Sequence, residues 1–150
     1  MRVTTKGRYA LRAITNLAMA DTDKPVPIKQ IAGDEAISPE FLEQIFFKLK
    51  KSGIISSVRG PGGGFVLEKD PSDVTVKDIF DAVGEGLEIT PCTGEDGCER
   101  EDICLVHDVW KEASVHIVSF FENLTLRKVM EMNNGKALDQ IVSGKEFSVG

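Results

Sequence analysis

The chain has 150 residues, 41% hydrophobic and 28% charged, with a formal net charge of −6; this composition supports one soluble domain with at most a small accessory element and excludes wholesale disorder. The longest uncharged apolar runs, such as Ile54-Ile55 and Ile117-Val118, fall far short of the roughly 20 residues a membrane helix needs, and residues 1–7 lack a signal-peptide apolar region, so a cytoplasmic protein is expected. Charge is uneven: residues 1–70 carry 11 Lys and Arg against 8 Asp and Glu (+3), and residues 71–150 carry 7 against 16 (−9), which suits a phosphate-facing first half and a second half that repels phosphate.

In chain order, residues 5–20 read as an amphipathic helix, with Tyr9, Ala10, Ala13, Ile14, Leu17 and Ala18 on one face and Arg8, Arg12 and Asn16 on the other. A second helix runs from near Pro27 to about Ala36. The third opens with Ser38 as N-cap and Pro39 in the first turn, carries the stripe Leu42, Ile45, Phe46 and Leu49, and stops at Gly53. The short break before Ser38 makes a helix-turn-helix outline. Residues 54–58 and 65–67 then flank the loop Arg59-Gly60-Pro61-Gly62-Gly63-Gly64, which predicts a β-hairpin. No Lys-Ser/Thr follows those glycines and no helix opens on them, so a nucleotide-binding loop is not supported.

A hairpin directly after a helix-turn-helix predicts a mainly α fold with a small β wing, a winged helix-turn-helix domain carrying a long dimerisation helix. The expected organisation is a DNA-binding domain over 1–83, a cysteine-rich cluster-binding loop over 84–108, a dimerisation region over 103–132 and a flexible tail over 133–150. Within the first unit, Ser38, Glu40, Glu43 and Gln44 leave the core stripe near the start of the third helix and are candidate base readers. Gln can pair with adenine, and Glu can accept from cytosine and reject other bases. Glu40 and Glu43 also complement the helix dipole, and Lys48, Lys50 and Lys51 suit either the dipole or phosphate. Arg59 stands where the wing meets a minor groove, and Thr4, Lys6 and Arg8 are candidate backbone anchors.

In the second half, Asp73-Val74-Thr75 caps a short helix through Ile79, Phe80 and Val83, ended by Gly84. All three cysteines then fall within residues 92–104, and Cys92, Cys98, Cys104 and His107 are spaced Cys-x5-Cys-x5-Cys-x2-His. An odd, clustered set points to metal or redox chemistry rather than a disulfide framework. Cys104 and His107, three apart, would share a face on one helical turn. Structural zinc favours closer pairs, and the wide gaps suit a polynuclear cluster better. A 2Fe–2S core on three thiolates and one imidazole carries net negative charge. Glu95, Asp96, Glu99, Glu101, Asp102 and Asp108 around it disfavour reduction, and the protonatable imidazole makes a weak corner. An enzyme built on Cys104 and His107 is disfavoured, because acidic surroundings raise a thiol pKa and no oxyanion site is evident.

Beyond the ligands, Ile103, Val106, Trp110, Ala113, Ile117, Phe120 and Leu124 recur with heptad-like spacing, which predicts a homodimer seam. His116 lies off that seam. Met19, Met130 and Met132 read as packing.

The start Met1-Arg2 through Arg8-Tyr9-Ala10, the wing Ser57-Val58-Arg59-Gly60-Pro61-Gly62-Gly63-Gly64, and Cys92, Cys98, Cys104 and His107 together resemble the IscR family of iron–sulfur cluster regulators, with similarity to about residue 130. The resemblance implies a homodimeric transcription factor on double-stranded operator DNA, no enzymatic activity, and a 2Fe–2S cluster on those four residues. The cluster would come from the cluster-assembly machinery, whose genes the protein would control. By the same resemblance Glu43 screens operator classes, while Ser38, Gln44, Arg59, Gly60 and Pro61 contact DNA. A related group senses nitric oxide through a 4Fe–4S cluster with an N-terminal carboxylate ligand; Arg8 at that place and the presence of His107 leave it, with a zinc or thiol regulator, as the alternative.

Overall fold

A computed structural model describes residues 3–20, 23–90, 93, 97 and 99–133. Three helices open the fold: α1 (Thr5–Met19), α2 (Ile28–Glu35) and α3 (Pro39–Lys51). The antiparallel hairpin of β1 (Ile55–Val58) and β2 (Gly64–Leu67) follows, with Ile55 opposite Leu67 and Val58 opposite Gly64. After a 3-10 turn at Pro71–Asp73 come α4 (Val76–Val83), α5 (His107–Asn123) and a last helical stretch over 126–133, α6. This is the mainly α winged helix-turn-helix expected from the sequence. Among the described residues, no helix is long and apolar enough to cross a membrane.

The boundaries follow local chemistry. Ala36, in the left-handed region at φ 55°, ends α2. Two residues later the Ser38 hydroxyl accepts the Phe41 amide, satisfying one of the donors a helix start leaves open. Thr75 rather than Asp73 caps α4. Its hydroxyl accepts the Asp78 amide while the Asp78 carboxylate accepts the Thr75 amide, a reciprocal capping box. Asp70 caps the 3-10 turn and reaches Arg127; the Ser72 amide first, then the Arg127 guanidinium, hold its carboxyl below the ordinary value.

The core gathers around Phe46, with Ile14, Ile31, Leu42, Ile45, Leu49, Ile55 and Ile79 fully enclosed, so the α3 stripe faces inward as its spacing requires. Phe65 of β2 meets Phe46 edge-on at 4.9 Å and ties the wing to that core. Val26 exchanges both backbone hydrogen bonds with Phe65 at 2.9 Å, an isolated bridge on the edge of the two-stranded hairpin. The polar face of α1 is occupied too: Arg12 pairs with Glu35 at 3.3 Å and donates to its carbonyl, and Asn16 donates to the same carboxylate at 2.9 Å, docking α1 on the end of α2.

The long helix departs from the expectation. α5 begins at His107, and Val106, at φ −120° and ψ 6°, is its N-cap. Ile103 and Val106 therefore precede the helix and Leu124 follows it, leaving Trp110, Ala113, Ile117 and Phe120 as its heptad positions. Side-chain spacing alone does not register such a backbone break. No residue of α5 is buried within its own chain. Met130 packs against the core, whereas Met132 is exposed instead of packed. The tail beyond Asn133 lies outside the described residues.

Candidate nucleic-acid interface and metal centre

The outward face of α3 carries Glu40, Glu43, Gln44, Phe47, Lys48 and Lys51, all exposed. Ser38 stands at its tip, spending its hydroxyl on the cap. Its last turn holds Lys48, Lys50 and Lys51, where cations oppose the negative end of the helix dipole and stay free to meet phosphate. In the wing, Arg59, Gly60 and Pro61 are exposed, and the Gly63 amide closes the turn on the Gly60 carbonyl at 2.9 Å. The two groups sit on one body because β1 leaves α3 through only three residues, Ser52 to Ile54.

Thr4 and Lys6, expected from the sequence as backbone anchors on DNA, make contacts within the chain that the sequence did not reveal. The Thr4 amide donates to Glu85 Oε1 at 2.8 Å and its hydroxyl donates to Glu85 Oε2; Lys6 Nζ lies against Gly84. Glu85 is only 5% exposed. Its carboxylate therefore closes the open amide end of α1 from 81 positions away, and no local pattern announces a contact of that range. Gly7 makes room for it, since a Cβ there would meet Glu85 Cγ and Oε2 at 2.8 Å. Alanine normally stabilises a helix interior relative to glycine by about 1 kcal/mol. Here Gly7→Ala is expected to lower stability instead, by about 1–3 kcal/mol in a urea melt, because it expels a buried, hydrogen-bonded carboxylate.

On the acidic side, Cys104 is half-buried and its amide bonds the Arg100 carbonyl at 2.8 Å. It lies in the turn before α5, so Cys104 and His107 do not share a helical turn as their spacing suggested. His107 is the first residue of α5, with a side chain 11% exposed, and Nε2 lies 3.7 Å from Glu101 Oε1, beyond hydrogen-bond reach. Its Nδ1 is buried and finds no hydrogen-bond partner among the described residues. A buried nitrogen in that condition is costly unless something else uses its lone pair. The imidazole borders a cleft of about 570 Å³ whose wall includes Thr93, Gly97, Glu101, Lys111 and Ser114. Thr93 follows Cys92 in the chain and Gly97 precedes Cys98. Cys92 and Cys98 themselves lie outside the described residues, and among the described residues no three His, Cys, Asp or Glu side chains gather into a metal-holding group. The largely buried imidazole with no Nδ1 partner among the described residues, the half-buried thiol and the cleft lined by Thr93 and Gly97 fit a soft-ligand cluster.

Comparison with known proteins bears on the fold and the family. The family model described as Rrf2, iron-dependent transcriptional regulator, matches residues 3–132. The HTH-type transcriptional regulator IscR of Escherichia coli O1:K1 / APEC is 42% identical over 148 residues, covering 99% of this chain and 89% of that protein. Among solved structures, T. potens IscR superposes with a TM-score of 0.74 at 27% identity, over 100% of this chain and 94% of that one. CymR, the global cysteine regulator of B. subtilis, shares the fold with a TM-score of 0.73 at 24% identity, over 88% and 98%. The family and its relatives are regulators of transcription and not enzymes.

Proposed function

The chain belongs to the Rrf2 family of iron-dependent, DNA-binding transcriptional regulators, and from that premise we propose that it works as a homodimer whose choice of operators depends on a 2Fe–2S cluster held by Cys92, Cys98, Cys104 and His107. The observation that carries this reading is His107: a buried Nδ1 without a hydrogen-bond partner among the described residues, at the head of α5 and on the edge of the cleft that Thr93 and Gly97 border. When bound, such a cluster supplies a redox-active, labile group whose occupancy reports on iron–sulfur supply. The chain's own part is to hold it at the start of the helix that also forms the dimer, so that occupancy biases how the two α3 helices are presented. Glu43 then rejects operators that do not offer it a donor, while Gln44, Arg59, Gly60 and Pro61 supply base and backbone contacts. The genes governed are those of cluster assembly, with the assembly machinery as cluster donor.

The test is anaerobic purification followed by a visible spectrum with iron, acid-labile sulfide and zinc assays. About two irons and two sulfides per chain are expected. Cys104→Ala and His107→Ala are expected to lose the colour and most of the iron while keeping the far-ultraviolet circular dichroism of the wild type. About four irons per chain would instead support a 4Fe–4S sensor, and zinc alone would remove the cluster from the mechanism.

Support for the dimer comes from the exposed apolar side chains of and before α5. Leu105 is fully exposed, and Ile103, Val106, Val109, Trp110, Val115 and Phe120 are also open to solvent, a density of apolar surface that a monomer rarely leaves uncovered. Phe120→Glu puts a charge at the C-terminal end of that surface, at a residue outside the core. Sedimentation is expected to give a monomer for this variant and a dimer for the wild type, and operator affinity is expected to fall at least tenfold, because one half-site must then be held alone.

A further inference from the structure

Phe47 is 68% exposed on a helix whose other large apolar side chains are enclosed (Leu42, Ile45, Phe46 and Leu49) or, like Phe41, half-buried and packed against the core. Successive residues advance by about 100° around the helix axis, so the direction opposite that buried stripe falls among Glu40, Phe47, Lys51 and Gln44. The ring thus stands at the centre of the outward face, one turn beyond Glu43 and Gln44, rather than at its margin. It contributes nothing to the core there, and an exposed phenyl ring set among charged and amide side chains complements a partner that offers both apolar and anionic surface. Duplex DNA offers both. The major groove displays the thymine C5-methyl group beside the base edges that Gln can read, and phosphates flank it where Lys48 and Lys51 extend.

We infer that Phe47 is a specificity-determining residue, packing on the C5-methyl of a thymine next to the base addressed by Gln44. The inference rests on α3 being the helix that enters the groove. A protein surface is the competing occupant, but the basic last turn of α3 and the adjoining wing Arg59 make a polyanion the better complement.

The test starts from duplexes selected out of a random library by the full-length chain purified anaerobically. Each thymine of the selected site is then replaced in turn by deoxyuridine, which removes the methyl group and leaves the pairing edge intact. For the wild type, one thymine per half-site is expected to show a loss of about three- to fivefold on this change, the size of one buried methyl. Phe47→Ala is expected to bind the thymine and uracil duplexes equally, whereas Gln44→Ala keeps the difference. Because the ring is exposed, Phe47→Ala is expected to melt with the wild type, which separates lost contact from lost fold. Tight wild-type binding that ignores every methyl overturns the inference while leaving DNA recognition intact, as does an equal methyl effect in wild type and Phe47→Ala. A wild-type chain that selects no sequence at all overturns it together with the role assigned to α3.

Discussion

Gly64→Ala is expected to cost about 3–5 kcal/mol of folding stability, against about 1 kcal/mol for Gly60→Ala in the same hairpin. Both glycines have positive φ, 155° and 95°, so both substitutions carry a backbone penalty. They differ in what surrounds them. A Cβ on Gly60 meets nothing within 4 Å, whereas one on Gly64 would lie 2.4 Å from the carbonyl carbon and oxygen of Val26 and 2.7 Å from the Pro27 nitrogen. Those atoms are backbone and have no rotamer through which to yield. The chain must open the Val26–Phe65 bridge, and with it the contact that brings Phe65 onto Phe46. A loss of this size approaches the whole stability of a marginal domain. Urea denaturation of the two variants checks it, and equal midpoints would show that close approach at Gly64 is not what holds the wing.

The legibility of this fold varies with the range of the contact that decides each feature. α3 could be read from sequence because Ser38, Pro39 and the Leu42, Ile45, Phe46 and Leu49 stripe all act within a few residues of one another. The hairpin was equally plain from its glycine loop. The start of α5 was not, because the heptad spacing of Ile103 and Val106 continues through a backbone break at Val106. Glu85 escaped notice for the opposite reason: its partner is 81 positions distant, and a lone Glu between two glycines carries no periodic signal. For the metal centre, spacing named four candidate ligands and the structure adds the condition of one of them, a buried His107 Nδ1 with no hydrogen-bond partner among the described residues. Phe47 carries no signal of its own in the sequence, and its exposure on α3 comes from the structure.

Leu126→Ala is expected to cost about 2–5 kcal/mol and to loosen α5 relative to the winged domain. Leu126 is fully buried in the core although it follows a helix that buries nothing of its own. The chain is stitched back at that point by two backbone hydrogen bonds, Val76 to the Leu124 carbonyl at 2.9 Å and Leu126 to the Val74 carbonyl at 2.8 Å. Phe121, one turn earlier, meets Phe80 of α4 at 5.3 Å. The C-terminal end of α5 is thus anchored to α4, which packs on α1 and α3, while its N-terminal end carries His107. If cluster occupancy reaches α3 through the orientation of α5, this joint is where the movement is passed on. Hydrogen exchange on Leu126→Ala should therefore show faster exchange at the Val76 and Leu126 amides, together with a lower urea midpoint. His116→Ala, which removes an exposed ring from the same helix, should leave both amides protected. Unchanged protection of Val76 and Leu126 in Leu126→Ala would mean that the backbone pair, rather than the buried leucine, holds the joint.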